Sequence, residues 1–328
     1  MQASHGTTRR KVIQSGIAMA LGAAGISAHA AWPERQIRII LGFAAGGGSD
    51  ILLRAITPAL AEALGQPLVV DNRAGAAGNI AMQAVAQAAP DGYTLLMGSP
   101  GLATNSSLYA SLGFDPLKDF APVSLVGSVQ NVLIVRPSLQ VNTVAELVAY
   151  ARANPGRLNY ASPGTGTSLH LAGELFKVST GVRMEHVPYQ GGGQALTDVM
   201  GGQVDLMFNV LPSALPQIKA GGVKALAVTG AQRAPSLPDR PTMIEAGVAG
   251  YTAVTWNGIV APAGTPREVI ARLNEAIVKV LRAPEMAQKF AAIGQDVLVS
   301  TPEEFTVFLR EETTKWRRTI ESAGIKPQ

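Results

Sequence analysis

Apolar and polar positions along this chain follow two periods, one of short strands and one of helical stripes. Ile37-Arg38-Ile39-Ile40-Leu41 reads as a buried strand. Residues 49–64 then place Leu53, Ile56, Leu60 and Leu64 on one stripe, and Pro58 inside the run predicts a kink or a loosened turn. A short strand over 67–71, a helix over 79–88, a Pro90-Asp91-Gly92 turn and a strand over 94–97 extend the order to β-α-β-α-β. That order implies a parallel sheet covered by helices.

The middle of the chain repeats the style. Strands are expected over 132–135, near Asn159, and over 185–187, 205–208 and 225–228. Helices are expected after a capping box of Thr143 and Glu146, and over 168–179 and 194–200. Pro235, Pro238 and Pro241 mark a loop. A strand near 255–260 precedes two helices that begin Thr265-Pro266-Arg267-Glu268 and Thr301-Pro302-Glu303-Glu304, each with a capping threonine, an early proline and a glutamate three residues on.

Three apolar runs end in glycine-rich loops that open helices. The loops are Gly46-Gly47-Gly48-Ser49-Asp50, Ser162-Pro163-Gly164-Thr165-Gly166-Thr167 and Gly191-Gly192-Gly193. Glycine lets a ligand approach the main chain, and a helix N-terminus offers unpaired N–H groups with a partial positive charge. Such loops suit an anion that is held rather than transformed.

Composition narrows the classes. A chain of 328 residues that is 47% hydrophobic and 15% charged can bury the core of one large α/β domain or two ordinary ones. The formal net charge of +4 comes largely from Arg9, Arg10 and Lys11; without residues 1–30, 24 basic residues face 23 acidic ones, so a nucleic-acid partner is not expected. Those cations precede a mildly apolar stretch and Ala28-His29-Ala30, the pattern of a signal peptide over residues 1–30. Both the Sec route and, through the paired arginines, the twin-arginine route fit it, so export is expected. No cysteine is present, which removes thiolate nucleophiles, disulfides and sulfur ligands for metals.

Linked motifs beyond the loops are distinctive. Tyr160-Ala161-Ser162-Pro163-Gly164-Thr165-Gly166-Thr167-Ser168-Leu169-His170 is followed by His186-Val187-Pro188-Tyr189-Gln190-Gly191, then Gly201-Gly202-Gln203-Val204-Asp205 and Ala261-Pro262-Ala263-Gly264-Thr265-Pro266. With Ala225-Leu226-Ala227-Val228-Thr229, they resemble the Bug family, periplasmic solute receptors of tripartite tricarboxylate transporters. The resemblance implies an α/β, type II periplasmic-binding-protein fold, with two Rossmann-like lobes and a ligand cleft between them. Lobe 1 would comprise residues 31–125 and 256–328, and lobe 2 residues 126–255. It further implies a monomer without metal or cofactor that takes a small organic acid and meets integral-membrane transporter subunits transiently.

In open α/β sheets ligands collect beyond the carboxyl ends of strands, where these loops lie. Phe43, Ala44, Gly46, Ser99, Ser162, Thr165, Gly166, Thr167, Tyr189 and Gly191 are the candidate ligand contacts around them, with Asp50. Each has a plainer role. Asp50 favours a helix start and can pair with Arg54; Ser162, Thr165 and Thr167 can shape their own loop; Ser99 can be a turn residue; Tyr189 and Phe43 can pack. Asn209 joins the candidates because it stands where the family commonly has aspartate, which makes recognition of a ligand amine less favoured. His170 and His186 are expected in structural roles. An exported α/β hydrolase and a receptor-derived sensor are the alternatives; no G-x-S-x-G, phosphate-loop lysine or H-E-x-x-H supports the enzyme.

Overall fold

The computed structural model describes residues 32–189 and 191–327, so the expected leader over residues 1–30 lies outside the described residues. Two sheets organise them. The first half supplies β1 (Ile37–Leu41), α1 (Gly48–Leu64), β2 (Leu68–Asn72), α2 (Asn79–Ala86), β3 (Thr94–Gly98), α3 (Gly101–Leu108) and β4 (Phe120–Val129). Next come β5 (Asn131–Val135), α4 (Val144–Ala153), β6 (Asn159–Ser162), α5 (Ser168–Thr180), β7 (Glu185–Pro188), α6 (Gly192–Met200), β8 (Leu206–Val210), α7 (Leu211–Lys219) and β9 (Lys224–Val228). The chain then returns through β10 (Thr255–Pro262), α8 (Arg267–Leu281), α9 (Pro284–Ala292), β11 (Asp296–Val297) and α10 (Pro302–Ser322).

One sheet has the order β11-β4-β10-β3-β1-β2 and the other β7-β6-β8-β5-β9. β1 is parallel to β2 and β3, as the β-α-β-α-β pattern predicts, and β10 runs antiparallel between β3 and β4. In the second sheet β6 is parallel to β7 and β8, whereas β5 is antiparallel to β8 and β9. Parallel strands covered on both faces read as near-continuous apolar runs. Thus Ile37, Ile39 and Leu41 pack with Leu52, Leu53 and Ile56 of α1 on one face, while Ile40 joins a separate cluster on the other.

That other cluster links the two sheets. It holds Leu96, Trp256, Phe305 and Trp316 together with Tyr160, Phe176 and Tyr251. Helix α10 packs on α3 and β4 and also reaches α5. The chain passes between sheets at Gln130 and again before β10. Both passages are fastened by buried polar groups: Asn131 Nδ2 donates to the Ala253 carbonyl at 2.7 Å, Asn131 N–H to Thr229 Oγ1 at 3.1 Å, and the Thr229 hydroxyl to the Ala253 carbonyl at 2.7 Å.

Two helix starts match their sequence signatures. Thr143 accepts from Glu146 N–H, and Thr301 with Glu304 completes a reciprocal capping box. The box expected at Thr265 does not form: its buried hydroxyl donates to the Pro262 carbonyl at 2.8 Å, and α8 starts after Pro266 without a side-chain cap. Helix α1 continues through Pro58. Helices α3, α7 and α9 and strands β4 and β11 were not predicted by the apolar pattern.

Gly258 on β10 shows how closely the returning strand is packed. A Cβ there would lie 2.5 Å from Phe305 Cζ and 3.1 Å from the Ser124 carbonyl. Phe305 is fully buried and cannot swing away. Gly258→Ala should destabilise the protein by about 1–3 kcal/mol, the usual range for overpacking, read by urea or thermal unfolding.

Candidate functional site

The glycine loop after β1 is shaped from beneath by a carboxylate. Asp50, buried in the first turn of α1, accepts from Gly46 N–H at 2.9 Å, from Arg54 Nε at 2.9 Å and from Asn72 Nδ2 at 2.9 Å. Asn72 also donates to the Phe43 carbonyl at 3.0 Å. The Arg54 guanidinium, against the opposing cost of burial and with help from Gly46 N–H and Asn72, holds the Asp50 carboxyl down at about 2. Asp50 is therefore an ionised brace that faces its own loop. The start of α1 stays uncapped by any described side chain, with Gly47 as its extended cap residue.

A corresponding loop follows β6. Ser162 is fully buried; its Oγ accepts from Gly164 N–H at 3.2 Å and lies 2.7 Å from His186 Nε2. Thr167 caps α5 by accepting from His170 N–H at 3.2 Å, and its hydroxyl donates to the Gly164 carbonyl at 2.8 Å. Gly164 and Gly166 have φ values of 143° and 81°, a region that favours glycine.

Between these loops lies a cavity of about 650 Å³. Four helix N-termini open on it: Gly47, Gly48 and Ser49 at α1, Ser99, Pro100 and Gly101 at α3, Gly166, Thr167 and Ser168 at α5, and Pro212 and Ser213 at α7. Among the described residues, no side chain caps α1, α3 or α7. Phe43, Val129, Leu171, Val210, Ile293 and Trp316 form apolar walls, and Thr104, Asn105, Thr255, Asn257 and Gln295 add polar points. Among the described residues that line the cavity, none carries a charge.

Of the sequence candidates, the cavity brings together Phe43, Ser99, Gly166 and Thr167. Thr165 lines a smaller adjoining space with Leu108, Tyr109 and Lys326. Ala44 and Gly46 lie in the first loop but off the lining, Gly46 N–H being turned to Asp50. Tyr189 is half-buried and donates its hydroxyl to Asp198 Oδ2 at 2.7 Å; burial and that carboxylate push it up to about 12. Gly191 caps α6 and lies off the lining, as does buried Asn209. Asn209 Oδ1 accepts from Val210 N–H at 2.9 Å, while its Nδ2 has no partner among the described residues.

Several cavity residues have no signal in the sequence. Asn257 on β10 donates to Ser49 Oγ at 3.0 Å across 208 residues of chain. Asn105 Nδ2 donates to Asn79 Oδ1 at 2.6 Å and to the Ala77 carbonyl at 3.2 Å. Ala77, with φ of 53°, and Ala76, with φ of 45°, occupy left-handed backbone that alanine rarely adopts. The Asn105 amide thus fastens a strained turn at the cavity wall. A Gly75-Ala76-Ala77-Gly78 run marks a loop, but nothing local foretells that Asn105 holds it.

Among the described residues, Ser162 and His186 form a serine–histidine pair, and the serine is fully buried and off the cavity lining. The geometry supports holding a solute by main-chain dipoles and hydroxyls.

Comparison with known proteins agrees. The profile described as "Tripartite tricarboxylate transporter family receptor" matches residues 52–325. Protein BugT of Bordetella pertussis (strain Tohama I) is 36% identical over 315 residues, covering 94% of this chain and 97% of BugT. A structure from R. palustris with adipate is 39% identical, with a TM-score of 0.75, covering 90% of this chain and 100% of that one. MatC from Rhodopseudomonas palustris, with bound malate, is 33% identical, with a TM-score of 0.70, covering 88% and 99%. The matched family is one of receptors, which sets aside the hydrolase alternative, and a further similar structure, 35% identical, is that of the periplasmic binding protein BugD. With its uncharged cleft between two sheets and a profile match across nearly all of its described residues, this chain belongs to the tripartite tricarboxylate transporter receptor family and is a two-lobed solute-binding protein.

Proposed function

We propose that the receptor captures a small carboxylate in the cleft, as a monomer in the periplasm, and presents it transiently to the membrane subunits of its transporter. The convergence of four helix starts on a cavity without a charged side chain carries this reading. Helices α1 and α3 belong to the part around the first sheet, and α5 and α7 to the part around the second. Each start contributes roughly half a positive charge. Four such ends suit one or two carboxylates, and further anionic charge would be left unpaired beside apolar walls, which is costly. Adipate and malate in two similar structures support the same ligand class.

The lobes are proposed as residues 31–125 with 256–328, and 126–255. Closure would turn about the two chain passages fastened by Asn131, Thr229 and Ala253. Ligand contacts proposed from the lining are Phe43, Ser49, Ser99, Gly166, Thr167 and Asn257. An anion clasped between two lobes of one chain needs no second copy.

Calorimetry against mono-, di- and tricarboxylates tests this directly. Binding of a few mono- or dicarboxylates is expected, and because no cation is involved, raising salt from about 50 to about 500 mM should change Kd by less than about threefold. Heat from none of the acids would contradict the carboxylate assignment. Gly166→Val should abolish binding with unchanged circular dichroism, since the site needs φ of 81°, which a β-branched residue strongly disfavours.

Asp50→Asn should lower both affinity and melting temperature at neutral pH by loosening the first loop. Asp50 has a folded pKa of about 2 against an ordinary 3.8. Its stabilisation is therefore complete above the ordinary value and is lost as pH falls through the folded one. The gap in melting temperature between wild type and Asp50→Asn should narrow as pH is lowered from 3.8 toward about 2.

A further inference from the structure

Beneath the 163–167 loop lies a buried stack of rings that ligand capture does not directly use. His170 and His186 stack with centroids 4.0 Å apart, and the Tyr160 ring lies 4.9 Å from His186. Helix α5 reaches the stack through Gly173, where a Cβ would collide with Tyr160 Cε2 at 2.3 Å. His170 Nδ1 accepts from Gly166 N–H at 3.0 Å. Accepting there places the proton of a neutral imidazole on Nε2, which lies 3.8 Å from Glu174 Oε1.

We propose that His170 is the positioning residue of the ligand loop: its unprotonated Nδ1 holds Gly166 N–H inward, so that the cleft face of residues 166–168 keeps the shape that receives an anion. This role presupposes the anion receptor proposed above. Removing the acceptor would orphan a main-chain N–H beside the cleft and free Gly166 to turn. Ser162 and Thr167 fix the loop through Gly164, so His170 supplies the one described side-chain bond to Gly166.

The surroundings keep the acceptor available. Around the imidazole stand His186 on β7, Tyr160 on β6, and Glu174 and Lys177 on α5. Glu174 Oε1 accepts from the Tyr160 hydroxyl at 2.5 Å and from Lys177 Nζ at 2.8 Å. Burial, with smaller contributions from His186 and Lys177, pushes His170 down to about 3, and burial likewise lowers His186. The loop anchor therefore stays neutral in the pH range where an ordinary histidine would charge. The unfolded chain takes up the proton below its ordinary 6.5, so stability is complete above that value and declines as pH falls from 6.5 toward about 3.

Residue-resolved amide exchange of the ligand-free protein tests the role without any ligand. His170→Ala should speed exchange at Gly166 by about tenfold or more while β6 amides stay within about twofold. His170→Asn, whose Oδ1 can take the Nδ1 position, should return Gly166 to within about threefold of wild type. Its melting temperature should also fall less steeply than wild type below pH 6.5. Unchanged Gly166 exchange in His170→Ala, or Asn exchanging as fast as Ala, overturns the proposal. With adipate as probe, calorimetry should show a loss of about tenfold or more for Ala and a smaller one for Asn. If wild type ignores adipate, that counts against the proposed function for this acid, and the exchange result still decides the role of His170.

Discussion

A carboxylate taken out of water must be met by hydrogen-bond donors, and the cleft proposed to receive one offers no ammonium or guanidinium among its described lining side chains. The protein meets that constraint with architecture. The parallel strands β1 and β3 of one sheet and β6 and β8 of the other each turn into a helix at the cleft, and those helix N-termini supply donors and partial positive charge. Donors of this kind are neutral main chain, so burying them carries none of the desolvation cost of a buried cation.

Such donors work only if the turns that present them are rigid, and the glycine loops that open α1 and α5 are braced by side chains behind them. In the first, one ionised carboxylate ties Gly46, Arg54 and Asn72 together, and Asn72 extends the brace to Phe43. In the second, the brace is mostly neutral: Ser162, Thr167 and a histidine stack fix Gly164 and Gly166. A charged brace suits Asp50 because half-exposed Arg54 stands beside it. The deeper position under α5 favours neutral imidazoles. Asn257 on the returning strand joins Ser49, so the part around the first sheet is completed by chain that has already built the second sheet.

Much of this was legible in the sequence. Apolar runs followed by glycine mark β1 into α1 and β6 into α5, because strand burial and positive φ each demand particular residue types. Helices α3 and α7 were hidden for different reasons. Gly101-Leu102-Ala103-Thr104-Asn105-Ser106-Ser107-Leu108 carries no apolar stripe, and α7 holds both Pro212 and Pro216. Yet they provide two of the four helix starts on the cleft. The roles of individual polar groups were less legible still. Whether Asp50 or Ser162 faces a ligand or its own loop depends on distances of a few ångströms, and both turn inward. Asn105 and Asn257 matter through partners brought near only by the fold.

The most direct measurement is a crystal structure of the receptor with a bound mono- or dicarboxylate. The expected result places carboxylate oxygens about 2.7–3.2 Å from main-chain N–H groups at the starts of α1 or α3 and of α5 or α7, with hydroxyls of Ser49, Ser99 or Thr167 or ordered water completing the shell. A carboxylate paired instead with an arginine or lysine, or bound outside the cleft, would contradict the account.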